Sequence, residues 1–313
     1  MKVAVTGANG FVGRAVVAAI ARLGGNAVPL VRSASDMQHA SLIGDLADSP
    51  VDEAILAGVD ILIHLAARTH VVNDTSVDPL AAYRHTNVSG TQNLLDAAIA
   101  AGVSRFVYMS SIKAMGERTQ VGQPFLPDTP PQPEDPYGIS KLEAEALVKE
   151  RCNRAGIGWT IIRPPLVYGP GVKANFDRLI PLAQSAFPIP LGSIRNARSV
   201  IYVENLAEAT IAAASATDAR NRILTLCDDT LSTPELIRAV ALALGKSPML
   251  VPFPTALLRL AGRLTGRTWV IDRLTGSLEI DPRSSMAAAH WHPRISTADA
   301  MRATVLARPQ APD

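Results

Sequence analysis

Cysteine is nearly absent: the 313 residues hold two, Cys152 and Cys227. With no paired spacing between them, a disulfide framework or a zinc site is not expected, and reduced cytoplasmic thiols are. Long apolar runs are missing too. The longest, Ala15 to Ile20, is soon followed by Arg22 and Gly24-Gly25, far short of the roughly 18 residues that would suggest a membrane span. Charge of one sign is also lacking. Lys and Arg total 30 against 28 Asp and Glu, a net of +2. The basic residues are scattered, which leaves no footprint of a nucleic-acid partner. No internal repeat or low-complexity tract stands out. The opening Met1-Lys2-Val3-Ala4-Val5-Thr6-Gly7 reads as a strand rather than a secretory signal, so the fold is expected to begin at residue 1 and the protein to be cytoplasmic.

What is present is an alternation of short apolar runs and helical stretches, the pattern of βαβ units and a parallel sheet covered on both faces. Strands are expected at Lys2 to Thr6, Ala27 to Val31, Ile61 to Leu65, Phe106 to Met109, Trp159 to Ile162 and Ile223 to Leu226. Helices are expected at Val12 to Leu23 and Asn87 to Ala100, the second ended by Gly102. A proline-rich stretch from Gly116 to Pro136 suits a lid. Asp135-Pro136 then pairs an N-cap carboxylate with proline at the first helical position, opening a helix expected to run through Glu150. After Tyr168 to Gly171 the chain reads as a smaller lobe, with helices at Asn175 to Ala186 and Thr233 to Leu244 around a strand-helix return at Ser199 to Ala214. The amphipathic stretch Leu257 to Leu264 is expected to serve lobe packing or a dimer face.

Two constellations carry chemistry. The first strand runs into Gly7-Ala8-Asn9-Gly10-Phe11-Val12-Gly13 and then a helix. Such a turn lets backbone approach a pyrophosphate without Cβ interference and offers the free N–H groups of a helix start to the anion. At the end of the second strand a carboxylate usually takes the adenosine ribose hydroxyls. This chain has Arg32 there. A guanidinium cannot accept from a diol but can clamp a 2′-phosphate, which favours NADP(H) over NAD(H). The second constellation is Tyr137 and Lys141, four residues apart and therefore on one helix face. An ammonium and a nicotinamide ring beside the phenol would favour phenolate, and reaching a pKa near 7 would take about 4 kcal/mol of differential stabilisation.

The G-x-x-G-x-x-G spacing, in its form T-G-A-N-G-F-V-G, resembles the extended short-chain dehydrogenase/reductases, the NAD-dependent epimerase/dehydratase family. Gly44-Asp45-Leu46, His64-Leu65-Ala66-Ala67 and Asn87-Val88-Ser89-Gly90-Thr91 extend the likeness over roughly residues 1 to 215. It implies an α/β, Rossmann-type doubly wound parallel sheet with a smaller, mostly helical C-terminal substrate lobe. The dinucleotide domain would span 1–166 plus 199–226, and the substrate lobe 167–198 plus 227–313. The resemblance assigns Ser111 as catalytic serine beside Tyr137 and Lys141, with Ser110 its structural neighbour. It assigns the cofactor to Gly7, Asn9, Gly10, Phe11, Val12, Gly13, Arg32, Asp45 (at adenine), Leu46, Leu65, Ala66, Ala67, Asn87, Tyr137, Lys141 and Pro164. Substrate would meet Ser111, Asn175 with Phe176, and Arg198 at a nucleotide diphosphate, with Arg273 and Arg283 as candidates for a second phosphate arginine. Dehydratases of the family carry an acidic pair where this chain has Ile112-Lys113, leaving a nucleotide-sugar C4 reductase, which Arg32 favours, or a C4 epimerase. A UDP-N-acetylhexosamine of surface polysaccharide synthesis is the expected substrate class. A ketone reductase for apolar substrates and a non-catalytic dinucleotide sensor are the rivals, and a helix-paired homodimer, common in the family, stays open.

Overall fold

The computed structural model describes residues 1–69, 76–172, 179–266 and 268–307. The apolar runs form β1 (Lys2–Thr6), β2 (Asn26–Val31), β3 (Ser41–Leu42), β4 (Ile61–His64), β5 (Arg105–Met109), β6 (Gly158–Arg163), β7 (Leu166–Tyr168), β8 (Arg198–Tyr202), β9 (Arg222–Thr225) and β10 (Asp229–Leu231). The helices are α1 (Phe11–Arg22), α2 (Pro79–Arg84), α3 (Gly90–Ala100), α4 (Pro136–Ala155), α5 (Leu179–Ala183) and α6 (Val203–Ser215). They continue with α7 (Thr233–Ala243), α8 (Thr255–Leu264), α9 (Thr268–Thr275), α10 (Arg283–Ala289) and α11 (Thr297–Leu306).

Seven strands make one sheet in the order β3-β2-β1-β4-β5-β6-β9, and every pairing is parallel. Side chains alternate across a strand, so the sheet buries two faces at once. Val3 and Val5 pack with Val16 of α1 and Leu206 of α6. Ala4, between them, packs with Leu94 of α3 and Ala144 of α4. The strand order reverses at β1, and in an open α/β sheet the crevice outside the strand C-termini at that point is where ligands gather.

A small sheet, β10-β8-β7, lies apart from the large one, with β7 parallel and β10 antiparallel to β8. A third core joins Tyr168, Ile180, Ile237, Leu258 and Met301 from β7, α5, α7, α8 and α11. On α8 only Leu258 and Gly262 are buried, while Leu257, Leu260 and Leu264 are exposed. Packing within the lobe therefore uses one edge of that apolar stretch.

The proline-rich stretch is pinned rather than free. Thr119 N donates to Ser277 O (2.9 Å), Phe125 N to Glu279 O (2.8 Å) and Asp281 N to Phe125 O (3.0 Å). Helix α4 begins as the sequence implies, with the Asp135 carboxylate accepting from Gly138 N (2.6 Å). It runs past Glu150 to Ala155, where Gly156 takes a left-handed φ of 69°. The helix expected from Asn87 differs. His85–Ser89 is a π-helical turn ahead of α3, where the Thr91 hydroxyl takes the Asn87 carbonyl at 2.6 Å and such turns commonly mark functional positions.

Candidate functional site

The glycine turn sits at the C-terminal end of β1. Gly7 has φ +63°, and a Cβ there would lie 2.8 Å from Ala66 N. At Gly13 a Cβ would lie 2.1 Å from Gly7 O, and at Gly10 3.0 Å from the same oxygen. The three glycines therefore serve close backbone approach, as a pyrophosphate cradle requires. Helix α1 has no side-chain cap at Gly10, so its first N–H groups are left to solvent or a ligand. Asn9 and Gly10 are exposed, Phe11 and Val12 half-buried. These residues fit a dinucleotide phosphate group.

Beside the turn, Leu65 and Ala66 each donate a backbone N–H to Thr6 Oγ1 at 3.2 Å, holding the end of β4 against β1, and Ala67 follows half-buried. Asn87 is buried and spends its side chain on protein. It accepts from Arg68 N (2.8 Å) and donates to Arg68 O (3.1 Å) and Ser140 Oγ (2.9 Å). Its amide thus supports the neighbouring backbone at Arg68. Pro164 is buried, and its carbonyl accepts from Ile112 N at 3.0 Å, fixing the turn after Ser111.

Tyr137, Lys141 and Ser111 meet at the C-terminal edge of β5, all buried. Burial pushes the Tyr137 phenol up to about 12, with the Ser111 hydroxyl's hydrogen bond opposing it. Lys141 Nζ stands 4.3 Å from the centre of the Tyr108 ring. Burial pulls this ammonium down to about 7, against the carboxylate of Glu145. Burial alone thus disfavours the phenolate, and the expected pull toward neutrality draws on the nicotinamide ring together with the ammonium.

Further residues complete the site, of which Thr6, Ser140 and Glu145 carry no assignment from the sequence. Thr6 Oγ1, His64 Nδ1 (2.7 Å), His64 Nε2 and Thr91 Oγ1 (3.0 Å) form a buried chain under the turn. Ser140 Oγ donates to Tyr137 O at 2.8 Å. Glu145 lies one turn beyond Lys141 and binds Ser110 and Arg163. The signals were Thr6 beside the first glycine, His64 at a strand end and the continued four-residue step from Tyr137 to Lys141 to Glu145.

Farther out, Arg32 is 75% exposed, with Nη1 3.5 Å from Asp45 Oδ2. Asp45 Oδ1 accepts from Ala47 N, and Leu46 is buried. Arg198 Nη1 donates to the carbonyls of Arg273 and Gly276, both at 3.1 Å. Burial lowers the Arg198 guanidinium, and the adjacent Arg273 cation lowers it further. Arg283 is occupied by Asp281. Asn175 and Phe176, and with them most of the expected helix start, lie outside the described residues. Lys113 is ion-paired with Glu117 and Asp135. Among the described residues no group of His, Cys, Asp or Glu could hold a metal, and no helix is long and apolar enough to cross a membrane.

A parallel sheet of this order, a glycine turn on its first strand and a buried Tyr-Lys pair beside a serine define an enzyme of the extended short-chain dehydrogenase/reductase type. Residues 3–227 match the NAD dependent epimerase/dehydratase family, and the chain belongs to that family. It is 37% identical over 311 residues to a UDP-glucose 4-epimerase of Vibrio cholerae, covering 98% of this chain and 95% of that protein. It is 28% identical to a 2-alkyl-3-oxoalkanoate reductase of Stenotrophomonas maltophilia over 93% of this chain and 91% of that one. Among solved structures it resembles MoeE5 in complex with UDP-glucuronic acid and NAD, at 25% identity and a TM-score of 0.75 over 98% of both chains.

Proposed function

We propose that this enzyme moves hydride at C4 of a nucleotide sugar and that its net reaction reduces the 4-keto group of a UDP-4-keto-6-deoxy-N-acetylhexosamine with NADPH, for surface polysaccharide synthesis. The observation that carries the reading is the buried Ser111-Tyr137-Lys141 group with its phenol pushed up to about 12. Reduction of a carbonyl calls for a proton donor, and burial keeps Tyr137 protonated at neutral pH. Its Oη proton passes to the C4 oxygen as that oxygen gains charge. The Ser111 hydroxyl hydrogen-bonds the same oxygen, and the Lys141 ammonium offsets the phenolate left behind. When bound, the dinucleotide supplies the hydride. An epimerase would use the same three residues, so the lean to net reduction rests on Arg32 and not on the acid-base group.

For the cofactor, the lean to NADPH rests on Arg32. Its exposed contact with Asp45 is worth under about 1 kcal/mol, so a 2′-phosphate competes for the guanidinium on favourable terms. For the substrate, Arg198 and Arg273 bring two like charges together, an arrangement that a diphosphate would relieve. In this reading residues 1–166 plus 199–226 hold the dinucleotide, and 167–198 plus 227–313 hold the sugar nucleotide. The Vibrio cholerae relative supports a second reading, 4-epimerisation of a UDP-sugar on a retained NAD.

Purified enzyme would be offered NADPH with the UDP-4-keto-6-deoxy sugar, UDP-N-acetylglucosamine without added cofactor, and a 3-oxoalkanoate with NADPH. NADPH consumption with the keto sugar alone supports the proposal. A C4 epimer formed from UDP-N-acetylglucosamine overturns the reductase in favour of the epimerase, and turnover of the oxoalkanoate alone overturns the sugar nucleotide.

A further inference from the structure

Tyr137 and Lys141 share their helix face with a third polar residue. Glu145 follows Lys141 by four positions, the step that makes neighbours on a helix, and it is completely buried. Its Oε1 accepts from Ser110 Oγ at 2.5 Å and from Arg163 Nε at 2.8 Å, and its Oε2 accepts from Arg163 Nη2 at 2.6 Å. One carboxylate thus joins α4, the end of β5 and the end of β6. These are the elements that carry Tyr137 with Lys141, Ser111, and the backbone at Pro164.

Stability alone is a poor reason for this arrangement. A buried ion pair is often no better than an apolar pair of the same volume. This one also leaves Arg163 Nη1 buried without a hydrogen-bond partner among the described residues. Its placement beside Lys141 is more informative. The Lys141 ammonium is faced by the Tyr108 ring from β5, by His64 from β4, which burial holds neutral, and by Tyr137 and Glu145 from its own helix. Glu145 is the group that opposes the loss of the lysine's proton.

We propose that Glu145 is a positioning residue: locked by Arg163 and Ser110 one helical turn from Lys141, its carboxylate keeps the Lys141 amine charged as the counter-charge behind Tyr137. The proposal rests on the Tyr137-Lys141 reading above but not on the identity of the substrate. Without the carboxylate, Lys141 would be a neutral amine through more of the working pH range and would stabilise phenolate poorly.

The test follows Lys141 itself, by isotope-edited NMR titration of its Cε resonance in the full-length protein with and without NADPH, assigned from its loss in Lys141→Arg. Wild-type protein is expected to titrate near the value of about 7 set by burial and Glu145. Glu145→Gln keeps the shape and can still accept from Ser110, and its Lys141 midpoint should fall by about 1 pH unit or more. Glu145→Asp, which retains the charge, should restore most of that shift. Should Glu145→Gln fail to fold, the Glu145→Gln/Arg163→Gln double variant is compared with Arg163→Gln, from which it differs only in the carboxylate, and its Lys141 midpoint should be the lower of the two. A Lys141 midpoint unchanged by loss of the carboxylate in whichever comparison folds overturns the proposal. With an active substrate in hand, the alkaline limb of kcat should move with the midpoint. Failure of every sugar nucleotide to react would defeat the functional reading while leaving the NMR outcome intact.

Discussion

Thr6 and His64 share a 2.7 Å hydrogen bond whose direction the neighbours dictate. Thr6 Oγ1 already accepts from Leu65 N and Ala66 N, so its proton goes to His64 Nδ1. Thr91 spends its own proton on the Asn87 carbonyl, so His64 Nε2 is the donor at the other end. The ring is therefore neutral, protonated on Nε2, and a second proton would set donors against donors. Burial, with Lys141 adding to it, pushes the His64 pKa down to about 3.

A pH dependence follows from this. An unfolded histidine titrates near 6.5, so between there and about 3 the unfolded chain binds a proton that the folded one refuses. Stability is therefore lost as pH falls through that window, by about 1.4 kcal/mol per pH unit from this residue. Asp228, raised by burial from 3.8 to about 6, acts with the opposite sign over much of the same range. The wild-type curve is a sum of the two. Urea unfolding of wild type and His64→Gln between pH 7 and 4 should give a difference that shrinks as the pH falls, at about that slope. Parallel curves would mean that His64 is protonated in the fold.

Tyr137→Phe removes the proton donor while leaving the ring packed beside Tyr83, whose centroid is 5.9 Å away. We expect kcat to fall by about 10² to 10⁴, the usual range for a general acid, with dinucleotide affinity unchanged in a fluorescence titration. Ser111→Ala should cost about 10² to 10³ in kcat. A change confined to KM in either variant would assign that residue to binding alone.

The uneven legibility of this chain has physical causes. Strands of the large sheet were readable within a residue or two because both faces are buried, and so each reads as an apolar run bounded by glycine or charge. The two-residue β3 and the short β7 and β10 leave no such trace. Tyr137 and Lys141 were visible because one helix turn carries both. The Glu145-Ser110-Arg163 group joins residues 18 and 35 positions apart, a relation set by the sheet order and not by local spacing. The phenol's environment is only half legible for a related reason. Charge proximity can be read from spacing, whereas the dryness that raises Tyr137 comes from the packing of distant elements.

Arg32 offers a test of cofactor choice that does not need the substrate. If its guanidinium meets a 2′-phosphate, Arg32→Ala should weaken NADPH by about 10- to 100-fold, the worth of a hydrogen bond to a charged group, and leave NADH within a few-fold. Calorimetric titration with both cofactors measures this. Tighter binding of NADH by the wild type, with no change in the variant, would remove the basis for preferring NADPH.

The glycine turn separates steric need from backbone conformation. A Cβ at Gly13 would lie 2.1 Å from Gly7 O and 2.8 Å from Ala8 Cα, and these are backbone atoms that cannot swing aside. Gly7 O is also the acceptor for Gly10 N at 2.9 Å, so relief at Gly13 must deform the whole turn. Gly13→Ala should therefore abolish measurable dinucleotide binding and cost about 1–3 kcal/mol of stability, the usual penalty of overpacking. Gly24 is the control, since its Cβ would meet nothing within 4 Å although its φ is +74°. Gly24→Ala should cost about 1–2 kcal/mol for the left-handed backbone with dinucleotide affinity intact. Equal losses of affinity in the two variants would show that global destabilisation, not the shape of the turn, governs binding.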